Sequence, residues 1–252
     1  MNDTPTRTYL EQATALLSRI VAEEGPSIER AAQVIADRVA ADRLIYAIGP
    51  GGHSQMGAEE LFSRAGGLAC IVSFLDDGFY LGHGAARSMA IERTPGYARA
   101  ILDHPEMAAG DVLIIINAYG INSATIDSAL LARERSMTTI AVTSIENQRG
   151  LPQGHPSRHP SGQDLCDLAD VVVDTKMPLG DAVMRLDGVG EKVGPVSTMV
   201  NAFAINAILL EAVAELARRG IDPPIWRSAN SLGGDEANVA VIERYRHRVP
   251  NL

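Results

Sequence analysis

Short, uninterrupted apolar runs separated by helical stretches constrain this chain more than any other feature. Residues 43–48, 68–74, 112–116 and 138–143 are such runs, and 171–174 is a fifth. A strand with one wet face alternates apolar and polar residues. Continuous apolar strands instead belong to a parallel sheet covered on both faces. The intervening segments 57–65 and 122–135 carry helical spacing, and the long apolar stretch 196–217 reads as a buried helix. The expected fold is α/β, a five-stranded parallel sheet with helices on both faces.

Ahead of the first strand, residues 8–41 read as helix. Leu10, Ala13, Leu16, Leu17, Ile20 and Val21 recur at three- and four-residue spacing. Gly25-Pro26 interrupts the pattern, and Ile28, Ala31, Ala32, Ile35 and Val39 resume it. The reading is a pair of N-terminal helices over residues 1–42, set as a hairpin or nearly in line and packed on the domain or on a partner subunit, followed by the main domain with its C-terminal helices over 43–252. The apolar stripe is broad enough to pack against a partner subunit, which predicts a homo-oligomer. Two segments fit no simple element: 76–93, rich in glycine and holding His83, and 146–163, with two histidines among Gly, Pro and Ser. Long irregular loops in a small domain are often functional.

Composition narrows the partners. A net charge of −9 and only 4% aromatic residues argue against nucleic acid or an anionic membrane surface. Cys70 and Cys166 form no CxxC pair and lie beside apolar runs, which reads as reduced thiols. The N-terminal residues lack the pattern of a secretory signal, and no run reads as a membrane span, so a cytoplasmic location is expected.

Two loops carry the chemistry. Gly49-Pro50-Gly51-Gly52-His53-Ser54 follows the first strand and opens a helix. Glycines let backbone N–H groups approach an anion at a helix start. The plainer reading is a tight turn with Ser54 as an ordinary N-cap. Ser54 stands where G-x-G-x-x-G needs its third glycine, which disfavours a dinucleotide. The second loop, 117–125, repeats the strand–loop–helix arrangement with Asn117, Tyr119, Gly120, Asn122 and Ser123. Two such loops at the carboxyl ends of parallel strands point to a ligand site between them.

These residues give the chain a family resemblance. The first loop is similar to the Gly-x-Gly-Gly-Ser turn of sugar-isomerase (SIS) domains. Ala58-Glu59-Glu60-Leu61 resembles the Ala-Glu-Glu-Leu of phosphoheptose isomerases, set about one helical turn earlier. Asn117 to Asn122 stands where the family has Ser-x-Ser-Gly-x-Ser/Thr. Ser157-Arg158-His159-Pro160-Ser161-Gly162, Gly180-Asp181-Ala182 and residues 193–198 resemble an uncharacterised branch related to phosphoheptose isomerases. The resemblance implies a five-stranded parallel sheet, a dimer or tetramer, active sites at subunit boundaries, and a sugar or sugar phosphate as ligand.

The expected activity is aldose–ketose isomerisation through an enediol, which needs a base over the sugar and a second group to move the oxygen protons. The resemblance makes Glu60 the first candidate base, with Glu59 the alternative. A solvated i,i+4 pair of Glu60 with Arg64 is the structural reading. His53 and His159 are candidates for the second group, since the long C-terminal helix lacks the family's histidine. Gly51, Gly52, Ser54, Asn117, Tyr119, Gly120, Asn122, Ser123, Ser157, Arg158 and Asp181 are the candidate ligand contacts. Arg158 would clamp an anion or bridge subunits, and Asp181 would bind a hydroxyl or hold a turn. No organic cofactor is expected. Zinc through His53, His83, His155 or His159 is weakly signalled, because no HxH or HxxxH spacing falls on a regular element. The alternatives are a lyase or etherase at the same site, or a sugar-phosphate sensor without catalysis.

Overall fold

The structure, a computed structural model, describes residues 4–252. The five apolar runs become β1 (Ile45–Ile48), β2 (Ile71–Phe74), β3 (Val112–Ile116), β4 (Thr138–Thr143) and β5 (Val171–Asp174). All pair in parallel, in the order β2-β1-β3-β4-β5. β1 and β3 are buried along their whole length, as their unbroken apolar sequence requires. The chain steps from β1 out to β2, then crosses back to β3 on the other side of β1. The order therefore reverses between β1 and β3.

The helices are α1 (Pro5–Ala40), α2 (Gly52–Leu61), α3 (Ala85–Glu92), α4 (Tyr97–Ile101), α5 (Ser123–Glu134), α6 (Ile145–Gly150), α7 (Leu165–Leu168), α8 (Ser197–Arg218) and α9 (Gly234–Tyr245). α1 and α2 both pack on α8, while α4 and α7 pack on α5 across the sheet. β6 (Ala182–Met184) and β7 (Val193–Pro195) form a separate two-stranded antiparallel sheet that was not apparent in the sequence.

The expected pair of N-terminal helices is a single helix of 36 residues that runs through Pro26; residues 1–3 of the expected segment lie outside the described residues. Proline removes one N–H, and the carbonyl left without a donor is four residues back. That residue, Ala22, is exposed, so water can serve its carbonyl. The apolar residues on both sides of the break, Leu16 and Ile20 before and Ile28, Ala31 and Ile35 after, are all buried, and only a continuous rod lays both stretches on one groove. Lys176 ties the rod to the end of β5, its Nζ lying 2.6 Å from Glu24 and 3.2 Å from Asp174.

α8 is the buried helix expected over 196–217, although its 22 residues, at a mean hydropathy of 1.6, are long and apolar enough to cross a membrane by composition. Here Val200, Ala204, Ile205, Ile208, Leu209, Ala212 and Leu216 are buried inside the fold.

Candidate active site

Ligand crevices in open parallel sheets lie where the strand order reverses, outside the carboxyl ends of the strands. β1 and β3 are neighbours at that point, with Ile48 opposite Ile115, so the loops that follow them face each other. A cavity of about 650 Å³ opens there. Gly52, His53 and Ser54 line it from the first loop, and Asn117, Tyr119, Ile121 and Asn122 from the second. The segment expected to be irregular over 76–93 contributes Leu81 and one side of α3, including Ser88, Met89, Glu92 and Arg93. Leu151, His155 and Ser157 close another side, and Leu179, Asp181 and Ser197 complete the wall.

Asn117 knots the two loops together. Its amide nitrogen donates to the Pro50 carbonyl at 2.8 Å and to Ser54 Oγ at 3.2 Å. Its Oδ1 accepts the backbone N–H groups of Tyr119 at 3.1 Å and Gly120 at 2.8 Å. The Ser54 hydroxyl is thus an acceptor toward Asn117, which leaves its own proton to donate into the cavity. Gly120 adopts φ +61, and a Cβ there would lie 2.5 Å from Gln148 Cδ. Its glycine serves that packing rather than the cavity wall.

Glu92, the last residue of α3, is the chemically distinctive group. It is half-buried, and burial pushes its pKa from 4.5 up to about 7, with Arg93 pulling the other way. Desolvation disfavours the ionised carboxylate. Its Oε1 accepts from Asn122 Nδ2 at 3.0 Å. Its Oε2 lies beside Gly51, 2.5 Å from where a Cβ on that residue would stand, and Gly51 has φ +136. The glycine is required twice, for its backbone angle and for the room it leaves the carboxyl. Glu92 therefore bridges the starts of α2 and α5. The sequence offered one clue to it. Glu92 has no cation three or four residues away, so nothing on its own helix face was available to pair it.

The candidates named from sequence divide into two groups. Gly52, His53, Ser54, Asn117, Tyr119, Asn122, Ser157 and Asp181 line the cavity. Asp181, at φ +68, turns its carboxylate to the start of α8, where Oδ1 accepts Val196 N at 2.9 Å and Ser197 N at 2.7 Å, and Oδ2 accepts the Ser197 hydroxyl at 2.9 Å. It is a helix cap as well as a wall. Tyr119 has its phenol pKa raised, by burial first and by the Asp181 charge second.

Glu59, Glu60, His159, Arg158, Gly51, Gly120 and Ser123 do not line the cavity. Glu60 sits on the last turn of α2, roughly 9 Å of helical rise below Ser54. It points at α8, accepting Asn206 Nδ2 at 3.1 Å and pairing with Arg64 at 3.3 Å. Glu59 is exposed and accepts from Gln55 at 3.3 Å. His159 has its Nδ1 on Ser161 Oγ at 2.7 Å and its Nε2 3.4 Å from Asp127. Arg158 is buried among Asp164 Oδ1 at 2.5 Å and the carbonyls of Gln148, Leu151 and Pro152 at 2.5, 2.9 and 3.0 Å. Its guanidinium staples a loop and has no edge toward the cavity. His155, considered at first only as a metal ligand, does line the cavity, with Nδ1 accepting Ser157 N at 3.2 Å.

The imidazoles of His53, His83, His155 and His159 do not gather into a ligating group. Among the described residues one cluster of three ligating side chains forms, Asp164, Cys166 and Asp167. Arg149 already bridges its carboxylates at 2.6 Å and 2.5 Å.

Comparison with known proteins agrees with this architecture. The profile of the SIS domain family matches residues 8–144. A UPF0309 protein of Brucella canis is 40% identical over 244 residues, 97% of each chain. A UPF0309 protein of Brucella anthropi is 39% identical over the same span. Two solved structures share the fold. Phosphoheptose isomerase from Neisseria gonorrhoeae superposes with a TM-score of 0.54 at 18% identity, covering 83% of this chain and 97% of that one. The enzyme from Francisella tularensis gives 0.52 at 13% identity, covering 83% and 96%.

Proposed function

The chain belongs to the SIS domain family, and on that premise we propose that it is an aldose–ketose isomerase of a small sugar or sugar derivative, with Glu92 as the base. The observation that carries this reading is one carboxyl inside a cavity of about 650 Å³, held between two strand–loop–helix junctions, with its pKa raised to about 7. A base whose pKa matches the working pH is present in both protonation states, which suits a group that must take a proton and return it.

In the proposed step Glu92 Oε2 removes the proton from the carbon beside the sugar carbonyl. The electron pair moves into the new carbon–carbon double bond, and the carbonyl oxygen gains a proton to give the enediol. The same carboxyl then returns its proton to the neighbouring carbon, and the other oxygen loses one. His155 and His53 line the cavity and carry ring nitrogens that can both donate and accept a proton, so they are the groups assigned to the oxygen protons. Asn122 orients the carboxyl through Oε1 and leaves Oε2 as the working atom. Ser54 and Tyr119 donate to sugar hydroxyls.

We place the protein in the cytoplasm as a homo-oligomer. The two free thiols, with Cys70 buried and its pKa pushed up to about 12, support a reducing compartment, and the exposed Leu10, Val21 and Leu210 on α1 and α8 support association.

Incubation with candidate sugars in deuterium oxide tests the activity. An isomerase places solvent deuterium at the carbon beside the carbonyl, and Glu92→Gln stops it. Binding of a sugar without any exchange would make the protein a sensor, and the catalytic reading would be lost.

A further inference from the structure

Asp127 is the buried ionisable side chain of α5, and it lies outside the cavity wall. Its Oδ2 accepts the Gly96 N–H at 2.6 Å. Gly96 stands at the start of α4 with φ +85, four residues after Glu92. The other oxygen, Oδ1, lies 3.4 Å from His159 Nε2. The Ser161 N–H donates to His159 Nδ1 at 3.1 Å, so the neutral ring carries its proton on Nε2, toward the carboxylate. Both neighbours of Asp127 are therefore donors. A carboxylate offers two acceptors and no donor, which an asparagine cannot do.

Two walls of the crevice converge on that carboxylate. α3 is lightly anchored, with Ser88 as its buried residue. α5 holds the end of α3 at two points, Asn122 on Glu92 at 3.0 Å and Asp127 on Gly96, roughly 7 Å apart along the helix. On the other side, Arg158 ties the 152–162 loop to its own neighbours in the chain. His159 instead ties it to α5 and the second loop, through its imidazole beside Asp127 and its N–H on the Ile121 carbonyl at 2.8 Å. That loop carries His155 and Ser157 to the cavity.

We propose that Asp127 is a positioning residue of the site, a single carboxylate that fixes the Glu92 wall and the His155 wall relative to each other. It acts through Glu92 and through the 152–162 loop, without touching the ligand. The proposal rests on the reading of Glu92 and His155 as the proton-transfer groups, and it gives His159 a role outside the cavity. An enediol route needs a base at the carbon and a second group at the oxygens of the same sugar. A misplacement of about 1 Å between such groups can cost about 100-fold in rate. Glu92 and His155 come from distant segments of chain, and their common anchor on α5 keeps them in register.

The first tests need no ligand. In the wild-type chain, the gain in melting temperature from Glu92→Gln is expected to rise between about pH 4.5 and 7, because the buried carboxyl ionises at a cost. The other titratable groups on the cavity wall, His53, Arg93, Tyr119, His155 and Asp181, are common to both members of the pair. In the Asp127→Ala background Glu92 is released toward water, and the rise should shrink by at least about half. Amide hydrogen exchange should quicken at least about tenfold in both 85–96 and 152–162. His159→Leu should quicken 152–162 alone, and His159→Gln, which keeps a donor, should leave it protected. Where Asp127→Ala fails to fold, Asp127→Asn serves. Its amide oxygen still accepts from Gly96, the nearer donor, so the rise persists, while its NH2 group meets the His159 donor and 152–162 exchanges faster. With a sugar that takes up solvent deuterium, Asp127→Ala should lower kcat at least about tenfold and leave KM within about threefold. It should add no further loss in the Glu92→Gln background. Three results would each overturn the proposal: a pH-dependent rise that survives intact in Asp127→Ala, no such rise in the wild-type chain, or unchanged protection of 152–162 in Asp127→Asn. Absence of deuterium exchange with any sugar would remove the isomerase reading and leave the ligand-free tests to decide the placement of Glu92.

Discussion

Replacing Glu92 with glutamine should make the protein more stable and nearly inactive, and the gain should depend on pH in a fixed way. Glutamine keeps the shape of the side chain and still accepts from Asn122 through its amide oxygen, but it cannot ionise. In the wild type, burial raises the carboxyl from 4.5 to about 7. Below about pH 4.5 the group is protonated whether the chain is folded or not, and it adds no pH dependence. Between about 4.5 and 7 the unfolded chain releases the proton while the folded one keeps it, so wild-type stability falls as pH rises. Above about 7 the folded protein holds a desolvated carboxylate and bears the full cost, about 3 kcal/mol at roughly 1.4 kcal/mol per pH unit. The stability difference between Glu92→Gln and wild type should therefore grow by about that amount between pH 4.5 and 7 and stay flat above. For a chain of this size it corresponds to about 6–12 °C in melting temperature. Thermal unfolding of both proteins across pH measures it, and taking the difference cancels every group that titrates alike in the two. Turnover should fall at least about 100-fold, as loss of a general base typically costs. A stability difference that does not change with pH would refute the reasoning, because it would mean that Glu92 ionises as freely in the fold as in water.

Glu60→Gln should leave turnover essentially unchanged and lower stability by less than about 1 kcal/mol, since its partner Arg64 is mostly exposed; steady-state kinetics and urea unfolding check both. Gly51→Ala places a Cβ 2.5 Å from Glu92 Oε2 on a residue at φ +136, so activity should drop sharply, and the pH profile of kcat/KM should shift as the carboxyl is displaced. Arg158→Ala removes one of the two guanidinium partners of buried Asp164, which keeps Arg149 at 2.6 Å, and strips the Gln148, Leu151 and Pro152 carbonyls of their donor; it should cost about 1–3 kcal/mol in urea unfolding, while the protein that stays folded keeps its ligand affinity.

The sheet was legible because both faces of its strands are covered. Runs such as Val112–Ile116 have no polar position, and few folds other than a covered parallel sheet accept them. The two loops were legible for a related reason: glycine and asparagine immediately after a strand mark a junction, and β1 and β3 deliver those junctions to one crevice. Glu60 was misplaced because motif similarity fixed its position along the helix, whereas its direction is set by rotation about α2, which turns it to Asn206. Glu92 was passed over because its one local sign, the lack of a cation three or four residues away, is shared by many surface carboxylates. Its raised pKa comes from α3 folding over the crevice, a tertiary event with no signature within one helical turn. Arg158 and His159 looked like ligand groups because loop cations and imidazoles often are. Asp127 lies on α5, and Asp164 lies six residues beyond Arg158 across an irregular turn, so only the folded structure reveals that each is already engaged. Pro26 misled for the opposite reason: a local breaker was overruled by a groove made elsewhere.

The rod formed by α1 also sets an order of events during synthesis. Its apolar stripe is made first, yet the groove that receives it belongs chiefly to α8, whose centre lies some 185 residues further along the chain. At about 5–20 residues per second, the stripe waits roughly 10–40 s for its partner on the ribosome. Meanwhile β1 to β4 and their crossover helices can already pair, because their contacts are closer in sequence. α1, translated well ahead of its groove, is thus among the last of these elements to dock. An N-terminal fragment ending before Ser197 would display Leu16, Ile20, Ile28 and Ile35 to solvent, and it would need a chaperone or a second chain to cover them.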